Sequence, residues 1–188
     1  MIPEGPFLWY LNRATGVTLL VLLTVSVVLG VLSLGGRPGG RLPAFVSQHL
    51  HRNAALLSVV ALVVHVATAV ADEFVDIRWW HAFVPFAATY ERSWMALGAL
   101  ALDVILVIVV TSALRTRLPE RAWRRVHYGS WLAWALGVGH GVGMGTDLKD
   151  PDAWALWSAV PTAACVVAVM VAAGVRLGRG RLEPVGAS

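Results

Sequence analysis

The chain has 188 residues, of which 57% are apolar and only 14% charged. Its mean hydropathy is +0.69, whereas a soluble domain carries about 25% charged residues. Too few charges remain to cover a water-facing surface, so lipid must solvate much of the molecule. The net charge of +4 and a pI near 10.0 do not indicate a nucleic-acid binder, because the arginines sit at the ends of apolar runs rather than along one basic stripe.

Crossing the hydrocarbon core takes about 20 apolar residues in a helix, and five runs meet this length. The first extends from Leu8 to Leu34 and ends in the breaker-rich Gly35-Gly36-Arg37-Pro38-Gly39-Gly40. It lacks a basic n-region and a small-residue cleavage site, and so is expected to be a retained helix. The second run is Ala44 to Ala71. Asp72 to Arg92 follows, too polar to span, and its Trp79, Trp80, Phe83, Phe86 and Tyr90 suit a short segment lying at the membrane interface. Further runs cover Trp94 to Leu114, Ala122 to Met144 and Ala153 to Leu177. The single cysteine, Cys165, lies in the last of these. It leaves no disulfide framework, Cys-rich zinc site or iron–sulfur cluster to this chain alone, and no C-x-x-C-H exists for covalent haem. The fold expected is an all-α integral membrane bundle of about five transmembrane helices with a short interfacial segment.

Basic residues fix the expected orientation. Arg37, Arg41 and Arg52 mark the first connection. Arg115, Arg117, Arg121, Arg124 and Arg125 mark the third, and Arg176, Arg179 and Arg181 the C-terminal end. Acids gather at the other two connections: Asp72, Glu73, Asp76 and Glu91, then Asp147, Asp150 and Asp152. The two sets alternate, which puts the N-terminus outside and the C-terminus in the cytoplasm of a cell whose inner membrane holds the protein.

Six histidines occur, and five fall within the second and fourth runs. An ionisable residue inside a membrane needs a partner, which makes each a functional candidate; the plainer alternative is a hydrogen bond to a carbonyl of a neighbouring helix. His51 and His65 are 14 residues apart, about 21 Å of helical rise and about 40° short of four turns. Both therefore face one interior near opposite membrane surfaces. His49 lies about 160° round from His65 and is the poorer candidate. His127 and His140 are 13 apart, again about 20 Å of rise, but an ideal helix rotates them about 140° from each other. A local irregularity is expected, and the run Gly137-Val138-Gly139-His140-Gly141-Val142-Gly143 is its candidate place, unless those glycines serve ordinary small-residue packing. Topology sets His51 with His127 toward the cytoplasm and His65 with His140 toward the outside. An imidazole on each face of a haem iron makes a low-spin electron carrier.

Two helices with His-x13-His and His-x12-His, the second opened by Trp123-Arg124-Arg125-Val126-His127-Tyr128, resemble the ferric reductase-like transmembrane domain. That family includes NADPH oxidase membrane domains, ferric-chelate reductases and the haem-binding membrane subunit of the periplasmic methionine sulfoxide reductase. The resemblance spans about Trp9 to Leu177. It implies two b-type haems as cofactors, bound by His51, His65, His127 and His140 as axial ligands of the iron. Electrons then pass from a cytosolic flavoprotein, whose flavin a partner supplies, or from a membrane quinol. The outer acceptor is ferric iron, oxygen or a partner redox protein. The sequence shows no cytosolic FAD/NADPH domain and one N-terminal helix fewer than the family pattern. The expected unit is thus the haem-binding subunit of a two-component oxidoreductase, with residues 1–7 an N-terminal segment, 8–178 the haem-binding domain and 179–188 a cytoplasmic tail.

Haem propionates need cations. Arg52, Arg124 and Arg125 are candidates at the inner haem and Arg13 at the outer one, against plain snorkelling to the interface. Asp103, mid-way along the third run, is read as a polar contact with another helix or, less simply, a proton relay or quinol site. His81, in the outer segment, is read either as lining an acceptor or metal site or, more simply, as an isolated exposed histidine with no special role. Trp9, Trp79, Trp80, Trp94, Trp123, Trp154 and Trp157 form the expected aromatic belt, with Trp131 and Trp134 deeper. The rival function is a haem-free proton or metal transporter using the same histidines, against which no internal repeat is found.

Overall fold

The computed structural model describes residues 7–33, 43–145 and 156–182. The Gly35–Gly40 turn, Arg37, Arg41, Asp147, Asp150, Asp152 and Trp154 lie outside the described residues, as do residues 183–188. Among those described, all regular structure is helical: α1 (Phe7–Ser33), α2 (Ala44–Ala71), α3 (Arg92–Ala113), α4 (Glu120–His127), α5 (Gly129–Met144) and α6 (Leu156–Leu182), with 3-10 turns at Trp79–Ala82 and Arg115–Arg117.

Four of these helices, α1, α2, α3 and α6, are long and apolar enough to cross a membrane. This is a multi-pass membrane protein. Exposed Val60, Val63, Val107, Val167 and Met170 have no reason to face water and every reason to face lipid. Pro161 sits inside α6, where it removes one backbone donor, a defect tolerated in membrane helices.

The expected run Ala122–Met144 is not one helix. It divides at Tyr128 into α4 and α5. The physical reason lies in α4: Glu120, Arg121, Arg124 and Arg125 are exposed, while Trp123, Val126 and His127 turn inward. So polar a segment cannot continue the axis of an apolar helix into hydrocarbon. Trp131 N–H donates to Tyr128 O (3.2 Å) just past the break. The irregularity expected in the glycine run is therefore displaced to Tyr128, and α5 stays regular from Gly137 to Gly143.

Helix α1 is central, packing on α2, α5 and α6, while α3 packs on α5 and α4. α2 and α5 are not packed extensively on each other, so the histidine-bearing helices face one another across a gap. A small core of Val27, Trp134 and Val169 ties α1, α5 and α6, reinforced where Trp134 Nε1–H donates to Thr24 Oγ1 at 2.8 Å. In the 72–91 connection, Phe86 takes a left-handed φ of 65°, and Arg92 Nε holds that turn by donating to Phe86 O (2.9 Å).

Candidate functional site: two facing imidazole pairs

The four histidines of the two pairs come together as the spacing anticipates. The ring centroids of His51 and His127 are 6.0 Å apart with planes at 71°. Those of His65 and His140 are 6.3 Å apart with planes at 85°. The break at Tyr128 falls between His127 and His140, so the 140° expected of one unbroken ideal helix does not apply to them.

Three of the rings are held the same way. His51 Nδ1 lies 2.8 Å from Ser26 O, His65 Nδ1 3.1 Å from Asn12 O, and His140 Nδ1 2.9 Å from Trp94 O. A carbonyl only accepts, so each Nδ1 carries the proton and each Nε2 keeps its lone pair. Four residues beyond each accepting carbonyl stands a glycine: Gly30, Gly16 and Gly98. An added Cβ would meet His51 at 3.6 Å, His65 at 3.1 Å and His140 at 2.7 Å, respectively. The missing side chains let each imidazole lie against the neighbouring helix. Asn12 also donates from Nδ2 to His65 O (2.8 Å) and Thr68 Oγ1 (3.2 Å), fixing α1 to α2 at that level.

These glycines and Asn12 belong to the candidate site, and the histidine reading missed them. The signal was present: Gly16 and Gly30 are 14 residues apart, the interval separating His51 from His65 on the antiparallel neighbour. The glycine run of α5 divides its work similarly. Gly139 and Gly143 receive Leu97 and Trp94 of α3, while Gly137 and Gly141 have nothing within 4 Å and open onto a cavity.

That cavity, about 330 Å³, is lined by His65, His140, Arg13, Gly16, Gly98 and Gly137 among others. It falls at the lower end of the roughly 300–1,000 Å³ typical of cofactor and small-molecule sites. Arg13 stands over Trp9 at 5.1 Å and Trp157 at 5.6 Å, a cation held at the rim by aromatic faces. His81 also lines the cavity. The expectation of an exposed His81 is corrected: it is only 8% exposed, because its Nδ1 accepts from Arg78 N–H (3.2 Å) and folds the ring under the 3-10 turn.

The other pair is built differently. His127 Nδ1 is buried without a partner among the described residues. Its ring stacks on Trp123 at 4.9 Å, with Arg115 over that indole at 4.5 Å; Trp123 thus adjoins this pair. Arg52 and Arg125 are exposed. So is Arg124, which is paired with Glu120 along the surface of α4. None of these three lines the cavity. Asp103 is not part of either pair, and Cys165 is buried in α6.

Among the described residues no group of three or more His, Cys, Asp or Glu side chains is placed to hold a metal ion. Comparison of the chain with protein-family models, with curated proteins and with solved structures finds no match.

Proposed function

We propose that this protein is a dihaem b-type electron conduit of the cytoplasmic membrane, resembling the ferric reductase-like transmembrane domain. His51 and His127 would hold one haem and His65 and His140 the other. In this reading α4 and α5 together complete a fifth crossing, the N-terminus is outside, and the His51–His127 level faces the cytoplasm.

The observation that carries the proposal is the separation within each pair. A metal–imidazole bond is about 2.0 Å, and the nitrogen lies a little over one ångström from its ring centroid. Two imidazoles on opposite sides of one metal thus have centroids about 6.3 Å apart, against 6.0 and 6.3 Å here. The tautomer agrees, since metal-bound histidines commonly donate their other N–H to a carbonyl or carboxylate. The plainer role of a helix–helix hydrogen bond is therefore met at Nδ1 and leaves Nε2 available. The open faces of Gly137 and Gly141 leave room for a flat group beside His140, and Arg13 supplies a cation at the cavity rim.

When bound, such a haem supplies reversible one-electron chemistry. The chain's part is to fix the imidazoles before binding, to keep the Nδ1–H of His51, His65 and His140 engaged, and to exclude water with the apolar walls of α1, α2 and α3. The donor in this reading is a cytosolic flavoprotein or a quinol, and the acceptor is ferric iron, oxygen or an outer redox protein.

A reduced-minus-oxidised absorption spectrum of protein purified from haem-replete cells tests the proposal. Two low-spin b-type haems per chain are expected. A haem-free preparation of folded protein overturns it.

A further inference from the structure

The cavity beside the His65–His140 pair is lined by that pair and by His81, and not by His51 or His127. The three rings do not present the same edge to it. His65 and His140 direct Nδ1–H to backbone carbonyls at 3.1 and 2.9 Å and keep a lone pair on Nε2. At His81 the direction is reversed. Its Nδ1 accepts from Arg78 N–H (3.2 Å), so the neutral ring carries its proton on Nε2. His81 N–H in turn donates to Arg78 O at 2.9 Å, and Trp80 meets the imidazole edge-on with centroids 5.5 Å apart. The ring is thus fixed by its own turn, and the edge left to the cavity bears an N–H. Such an edge suits an oxygen acceptor and offers nothing to a metal.

No described residue accepts from that N–H. Asp72 is the one carboxylate among the described residues lining the cavity, and it accepts from Phe74 N–H (3.1 Å) instead. His81 is only 8% exposed, and a donor so nearly buried is costly to leave without an acceptor. The turn that carries it packs on α3, the helix whose Trp94 O holds His140. A haem brings two propionate carboxylates to such a cavity, and a hydrogen bond to an ionised acceptor is of the stronger kind. Resting on the haem reading above, we propose that His81 donates Nε2–H to a propionate of the haem held by His65 and His140. Without this donor, more negative charge stands uncompensated near the iron, which favours the ferric state.

Two substitutions divide the ring between them. Asparagine sets its carbonyl near the Nδ1 position, and glutamine sets its amide N–H near the Nε2 position. His81→Asn therefore keeps the acceptor for Arg78 N–H and removes the donor to the cavity, whereas His81→Gln does the reverse. Both are made in the full chain purified from haem-replete cells, with His140→Ala identifying which haem belongs to this level. In His81→Asn the His65–His140 haem is expected to shift roughly tenfold toward the ferric form, a midpoint potential about 59 mV lower. It is also expected to pass to apomyoglobin faster, while the His51–His127 haem keeps both values. His81→Gln is expected to stay close to wild type. Equal change in the two variants makes the turn rather than the donor responsible and overturns the proposal, as does His81→Asn behaving like wild type. Either result leaves two haems in the wild-type protein and the proposed function standing; a haem-free folded wild type overturns both.

Discussion

The His65–His140 level and the His51–His127 level share their ring separation and little else. At the first, both Nδ1 atoms are anchored on backbone carbonyls, a Cβ added at the facing glycine would meet either ring at 3.1 Å or less, and a cavity opens beside them. At the second, only His51 is anchored, a Cβ added at its glycine would meet it only at 3.6 Å, and His127 relies on a stack with Trp123. The first pair is preorganised by backbone, the second partly by a side chain. Backbone contacts cannot rotate away, so the first level is expected to hold its ligand geometry more rigidly.

The largest test of this contrast is removal of the imidazoles. His65→Ala or His140→Ala is expected to lower haem from two per chain to one, leaving the other level loaded. Pyridine haemochrome against protein concentration gives the ratio. Loss of both haems, or of neither, in both variants means that the pairs do not act as separate sites.

Glycine substitutions grade the same comparison. Gly98→Ala puts a Cβ 2.7 Å from the His140 ring, so ring or helix must move; overpacking of this kind costs about 1–3 kcal/mol, and occupancy at that level should fall below half. Gly30→Ala, with ordinary contact to His51 at 3.6 Å, should leave both haems in place and gain a few tenths to about 1 kcal/mol of helix propensity. Gly16→Ala falls between them. Equal haem loss in Gly98→Ala and Gly30→Ala would mean that glycine contact does not position these rings.

How much of this was legible in the sequence depended on which physical rule each part obeys. The spanning helices follow hydropathy, which needs no partner information, and α1, α2 and α3 match their runs to within two residues. The pairing of histidines follows from rise per residue. The glycines escaped because their meaning is relational: Gly16 matters only through the ring that α2 brings to it. Tyr128 escaped because no proline marks the break, which arises from the conflict between a charged α4 and an apolar α5. The simpler reading of His81 as exposed failed because a turn of consecutive aromatics gives no periodicity from which to infer burial.

A smaller effect is expected from Trp123→Leu, which removes the ring stacked on His127 and the support under Arg115. Aromatic pairs contribute about 0.5–1.5 kcal/mol beyond area burial, so haem should leave the His51–His127 level roughly three- to tenfold faster, measured by transfer to apomyoglobin. The His65–His140 level should keep its rate. A matching acceleration at both levels would remove the distinction drawn between backbone and side-chain anchoring.

The smallest expected effect lies between the two levels. Trp134 and Thr24 are 9% and 5% exposed and joined by a 2.8 Å hydrogen bond. Trp134→Phe keeps an aromatic ring among Val27 and Val169 and removes the indole donor. The Thr24 hydroxyl can then turn to a carbonyl of its own helix, so little is left unsatisfied. Interhelical hydrogen bonds in membranes average about 0.6 kcal/mol and reach about 1.7; a loss within that range is expected in thermal unfolding, with haem content unchanged. A double-mutant cycle with Thr24→Val isolates the bond, since both substitutions should then give little more loss than one. If Trp134→Phe instead empties either level, the indole is part of a cofactor site, and rigidity at the His65–His140 level cannot be credited to the glycines and carbonyls alone.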